Sequence, residues 1–129
     1  MFCYCVVFYI RLTDKELEIM QVLWDNETPM TGSEIVSASK DRTWKEKSIY
    51  IIVNSLLKKN AIAFDHYKST ATNTARVYRA AISLEEYAAL NVLELNPDIV
   101  SVITAIFRGK KFDKTPKEIL YQVLNNLED

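Results

Sequence analysis

The sequence predicts a mainly α fold with one small β-hairpin: three short helices, the hairpin, then a helical tail. Two observations carry that prediction. Apolar residues recur at helical spacing in six stretches, and four of these open on a Thr or Ser followed three residues later by Glu. Between residues 61 and 82 the pattern changes to short strand-like runs around a polar segment. Three helices followed by a hairpin is the order of a winged helix-turn-helix domain.

The elements follow one by one. Thr13 caps the first helix and Glu16 completes a capping box, after which Leu17, Met20, Leu23 and Trp24 supply an inward face. The segment from Asn26 to Pro29 ends it. Thr31 with Glu34 repeats the device for a shorter helix carrying Ile35, Val36 and Ala38. A third helix is expected from about Lys45 to Asn60. There Ile49, Ile52, Val53, Leu56 and Leu57 form one apolar stripe at i, i+3, i+4, i+7 and i+8. Residues 61–67 and 76–82 read as the hairpin strands, with 68–75 as a long polar tip. In the tail, Ser83 and Glu86 open a helix with Tyr87, Leu90 and Leu93, and Pro97 breaks it. Ile99 to Phe107 forms the next helix, and Thr115-Pro116 with Glu118 opens the last.

The expected organisation is an apolar leader at 1–11, a winged helix-turn-helix domain at 12–82 and a helical dimerisation region at 83–129. Three short apolar helices make no core of their own, so the tail is expected to pair with a second copy. Tyr87, Leu90, Ile99, Val100, Ile103, Phe107, Leu120, Val123, Leu124 and Leu127 are the expected interface. Packing back onto the first domain is the alternative. The leader reads equally as an extra strand, a dimer contact or a misplaced start. It is too short to span a bilayer and lacks the cationic start of a signal peptide, so a cytoplasmic location without membrane insertion is expected.

Composition narrows the function. With 49% apolar residues in 129, the chain can bury a core without metal or disulfides. The net charge is −1, yet its distribution is uneven. Residues 40–79 hold nine cations and three acids, a net +6 that leaves −7 for the rest. Such a patch attracts phosphates, although a merely solvated cationic face has the same composition.

On the third helix, Lys47, Ile51, Asn54 and Lys58 point most directly away from the apolar stripe, flanked by Ser48, Tyr50 and Ser55. Lysines and short polar side chains suit the major groove of double-stranded DNA, and Ile51 suits a thymine methyl group. A contact of Ile51 with the wing or another protein is the bland alternative. Lys45 is placed for phosphate, as are Lys68, Arg76 and Arg79 on the hairpin; the two arginines could instead pair with tail acids. No Ser/His/Asp set, glycine-rich phosphate loop or metal-ligand spacing is present, so neither catalysis nor a cofactor is expected. Cys3 and Cys5 with the single His66 make poor metal-site material.

The runs Leu12-Thr13-Asp14-Lys15-Glu16-Leu17-Glu18-Ile19-Met20 and Val22-Leu23-Trp24 resemble the opening helix of the penicillinase-repressor family. Thr43-Trp44, Lys47-Ser48-Ile49 and Leu56 to Ile62 are similar to its recognition helix and the start of its wing, and Val77-Tyr78 to its returning strand. The resemblance covers residues 12 to 127. It implies a homodimeric repressor on a palindromic operator, released by a signal, often through a membrane sensor protease that cuts the tail. Ile51 and Ser55 stand where the antibiotic-resistance members carry Thr and Arg, which implies a different operator. Their Asn-Phe cleavage pair aligns with Ala105-Ile106, and the cysteine cluster of the copper-responsive members is absent. A winged-helix adaptor that binds protein rather than DNA is the other reading of the same fold.

Overall fold

The computed structural model describes residues 10–128, so the readings of the leader before Ile10 lie outside it. The elements are α1 (Asp14–Asn26), β1 (Met30–Thr31), α2 (Gly32–Ala38), α3 (Ile49–Lys58), β2 (Ile62–Ser69), β3 (Thr74–Ala80), α4 (Leu84–Leu95), α5 (Ile99–Gly109) and α6 (Pro116–Leu127). A 3₁₀ turn, Glu46–Ser48, precedes α3.

The capping signals act as read. Thr13 and Thr31 each accept from the backbone N–H three residues on, and Glu16 and Glu34 return the bond to the cap N–H. Ser83 and Glu86 do the same at α4. At the far end of α3, Asn60 adopts φ 60°. The Ala61 N–H then donates to the Leu56 carbonyl and the Asn60 N–H to that of Leu57, a Schellman closure.

The strands form one antiparallel sheet in the order β1-β3-β2. Met30 and Thr31 pair with Tyr78 and Val77, a short strand that periodicity did not reveal. The hairpin pairs farther toward its tip than expected, with one bulge in β2 between Phe64 and His66. Pairing runs on to Ser69 and Thr74, so the tip is four residues, closed by the Thr70 N–H and hydroxyl donating to the Asn73 carbonyl.

The core joins α1 (Ile19, Met20, Leu23), α2 (Ile35), α3 (Ile49, Ile52, Val53, Leu56) and the sheet (Ile62, Tyr78). Tyr87 and Leu90 belong to it as well, which corrects their expected place at a dimer interface. Tyr87 stacks obliquely near Trp24, 6.1 Å between ring centres, and its hydroxyl accepts from the Leu12 N–H. The Trp24 indole donates to the Ile82 carbonyl at 2.9 Å. The first compact unit therefore runs on to Glu94, and the second comprises Leu95 onward, rather than dividing at residue 82. In the second unit, α5 and α6 contain no buried residue, while Ile103, Leu120, Val123, Leu124 and Leu127 are exposed.

One buried charge ties the first unit together. Glu16 is only 3% exposed. Its Oε1 accepts from the Thr13 N–H at 2.8 Å and the Lys59 ammonium at 2.6 Å, and Oε2 from the Ser55 hydroxyl at 2.7 Å. Burial is the largest single influence and raises its pKa. Lys59, Ser55 and Thr13 together outweigh it and hold the carboxyl below its ordinary value of 4.5. A lowered folded-state pKa stabilises the fold in full above that ordinary value, and the contribution disappears as pH falls through the depressed one. We expect Glu16→Gln to lower stability by about 1–2 kcal/mol at neutral pH. Urea unfolding from neutral to acid pH should show a shallower acid loss than in the wild type.

Candidate nucleic-acid interface

The segment before α3 is clamped by residues far back in the chain. The Thr43 N–H and hydroxyl both donate to the Glu18 carboxylate on α1. Trp44 is buried in the core, and the Arg42 guanidinium lies 5.4 Å from its ring centre. These anchors leave Lys45 and Lys47 in water just ahead of α3. Lys45 caps the 3₁₀ turn and Lys47 and Ser48 lie on it, which corrects the expected continuous helix from Lys45. Lys45 offers no side-chain oxygen to cap an α-helical first turn, so the chain enters α3 through tighter i+3 bonding.

From the next turn on, one flank of α3 is core and the other solvent. Ile51 is 74% exposed, so neither the wing nor the core covers it. Asn54 and Lys58 are exposed beside it, and Ser48 is half-buried. Ser55 departs from the expected set: its hydroxyl is turned inward and donates to Glu16. Packing of α1 against α3 sets that orientation, which a helical wheel places only at the border of the outward face.

The wing cations divide in two. Lys68 pairs with Glu34 at 3.1 Å, and Arg79 with Asp65 at 3.4 Å, on the neighbouring strand rather than on the tail. The backbone N–H of Thr31 and then Lys68 hold the Glu34 carboxyl below the usual range. Arg76 has no carboxylate partner among the described residues and lies near enough to the Tyr78 phenol to pull its pKa down. Burial raises the Tyr78 phenol above its ordinary value, against the opposing pull of Arg76, so at neutral pH it keeps its proton.

Residues 12–126 match the family model described as "Penicillinase repressor". The chain belongs to the penicillinase repressor family. A "Penicillinase repressor" of Bacillus licheniformis is 36% identical over 58 residues, which make up 45% of this chain and 44% of that protein. The matched stretch thus spans less than half of that relative. Two solved structures are alike at 17% identity. A PadR family transcription regulator of hypervirulent Clostridium difficile has a TM-score of 0.41, covering 70% of this chain and 96% of that one. A second, from Eggerthella lenta, has a TM-score of 0.42 over 74% and 88%. The penicillinase repressor family is one of DNA-binding transcriptional regulators, not of enzymes.

Three residues beside the outward flank of α3 were absent from the sequence-based list: Ser33, Tyr50 and the largely buried Tyr78. Tyr50 had a local signal, its position flanking the outward face. The other two are brought beside α3 only by sheet pairing and the start of α2. Lys47→Ala and Ile51→Ala are expected to weaken binding to a specific duplex by about tenfold while leaving random duplex nearly unchanged. Arg76→Ala should weaken both alike and lower the salt slope by about one. Lys68→Ala, whose charge is already matched by Glu34, should change that slope less. Fluorescence anisotropy over a salt series measures all four. Equal losses on both duplexes for Lys47 and Ile51 would contradict the assignment to base edges.

Proposed function

We propose that the protein is a homodimeric transcriptional repressor that lays the outer face of α3 in the major groove of double-stranded DNA. Lys47, Ser48 and Ile51 meet base edges, while Lys45, Lys58, Arg76 and the wing cations Lys68 and Arg79 meet phosphates. The observation that carries this reading is the bare, isoleucine-centred flank of α3 beside a wing arginine with no carboxylate partner among the described residues. Membership of a repressor family supports it.

The second unit pairs two copies. Two helices of 11 and 12 residues with amphipathic sequences and no buried residue need a further apolar surface. A second copy supplies it through Ile99, Val100, Ile103, Phe107, Leu120, Val123, Leu124 and Leu127. A two-fold dimer reads a palindromic operator, because its two recognition helices repeat the same contacts on each half-site. The repressor works in the cytoplasm and leaves its operator on an upstream signal, with a membrane sensor protease as the partner that fits the family. No described helix is long and apolar enough to cross a membrane.

The reading is tested by gel-shift titration against DNA upstream of its own coding region, with sedimentation of the free protein. Specific binding should fall steeply with salt, by about 0.9 in log K per log salt for each phosphate neutralised. Leu124→Glu with Ile103→Glu should convert a dimer to a monomer and reduce operator affinity by at least about a hundredfold. No DNA binding at low salt would leave the adaptor reading in its place.

A further inference from the structure

Beside the outward flank of α3 lies a recess of about 500 Å³ between that helix, the start of α2 and the wing. Its lining is chemically one-sided. Ser33, Tyr50 and Tyr78 contribute hydroxyls, Asn54 and Asn73 amides, and Arg76 a guanidinium; no Asp or Glu lines it. The carboxylate nearest in sequence, Glu34, is engaged by the Thr31 N–H and Lys68. Hydroxyl and amide donors around a guanidinium that has no carboxylate partner among the described residues match a tetrahedral oxyanion and repel nothing of that charge.

We propose that this recess is a phosphate seat, occupied in the complex by one phosphodiester of the DNA backbone, with Tyr50 as the positioning residue that closes it. The proposal rests on the repressor reading above and adds to it a contact site that helix periodicity does not contain. A phosphate held here, between α3 and the wing, fixes how deeply α3 sits in the groove, so that Lys47 and Ile51 address the same bases in every complex.

Gly32 supports the role of Tyr50. The Tyr50 ring packs against the Gly32 backbone, and a Cβ at Gly32 would stand 3.1 Å from its Cε1 atom. The ring would have to shift by a few tenths of an ångström. Gly32 therefore seats the Tyr50 ring at the edge of the recess.

The test measures anisotropy of operator and random duplexes with the full chain, Tyr50→Phe and Gly32→Ala, over a salt series. Tyr50→Phe should weaken both duplexes by the same factor, about five to ten, with the salt slope unchanged, because a hydroxyl and not a cation is lost. Gly32→Ala, which adds only a methyl group, should weaken both in the same direction. Loss on the operator alone would make Tyr50 a base reader and overturn the seat. So would changes under twofold for both variants of a protein that still binds DNA, leaving the repressor reading intact. A wild-type chain that binds neither duplex would overturn both readings together. Inorganic phosphate titrated into the DNA-free protein should move the backbone amide NMR signals of residues 31–33 and 73–78, saturating only at millimolar concentration. Micromolar binding would make free phosphate the occupant and overturn the DNA assignment.

Discussion

The ten residues of α3 are held from one flank and at both ends, and the rest of the first unit depends on that restraint. Ile49, Ile52, Val53 and Leu56 are buried, so the helix cannot roll without exposing them. Ahead of it, Trp44 and the Thr43–Glu18 bonds pin the chain; behind it, the Asn60 closure and the Glu16–Lys59 pair do the same. None of these contacts uses the opposite flank. A buried carboxylate is costly unless its oxygens are satisfied, and Glu16 accepts three hydrogen bonds, one from the cap of its own helix and two from α3 and its C-cap. The result is a rigid helix with an unused side, which is what groove recognition requires.

Charge is distributed by the same packing. A net charge of −1 conceals a basic region, and the fold subdivides that region again. Lys68 and Arg79 are matched by Glu34 and Asp65, whereas Lys45, Lys47 and Arg76 have no carboxylate within ion-pair distance among the described residues. The unmatched cations thus lie ahead of α3 and on β3, and the matched ones flank Arg76 along the hairpin. Exposed pairs contribute little to stability, so their main effect is to shape this field.

The second unit follows a different logic. Asp98 and Thr115 cap α5 and α6, so each helix starts where its local sequence directs. Phe107 and Phe112 meet edge to face at 5.6 Å near the turn between them. Their apolar stripes nonetheless stay open to water, and the remaining stabilisation has to come from another surface.

Much of this was legible in the amino-acid sequence, because the relevant signals are local. A capping box acts over three residues and an amphipathic stripe over four, so α1, α2, α4, α6 and the buried side of α3 could be read directly. The assignments that changed depend on which faces meet. Periodicity shows that Tyr87 and Leu90 must be covered but not by what; Trp24 and Leu12 meet Tyr87, and both residues are buried in the core of the same unit. Ser55 and Glu16 are 39 residues apart, and Lys68 and Glu34 are 34 apart; only packing of α1 on α3 and of the wing beside α2 brings each pair into hydrogen-bonding range. The sequence by itself determined the elements and the apolar side of each. Tertiary structure alone decided where α4 belongs, which cations remain unmatched and that Tyr50, Arg76 and Tyr78 share one recess, because those outcomes depend on distances between segments that no local pattern encodes.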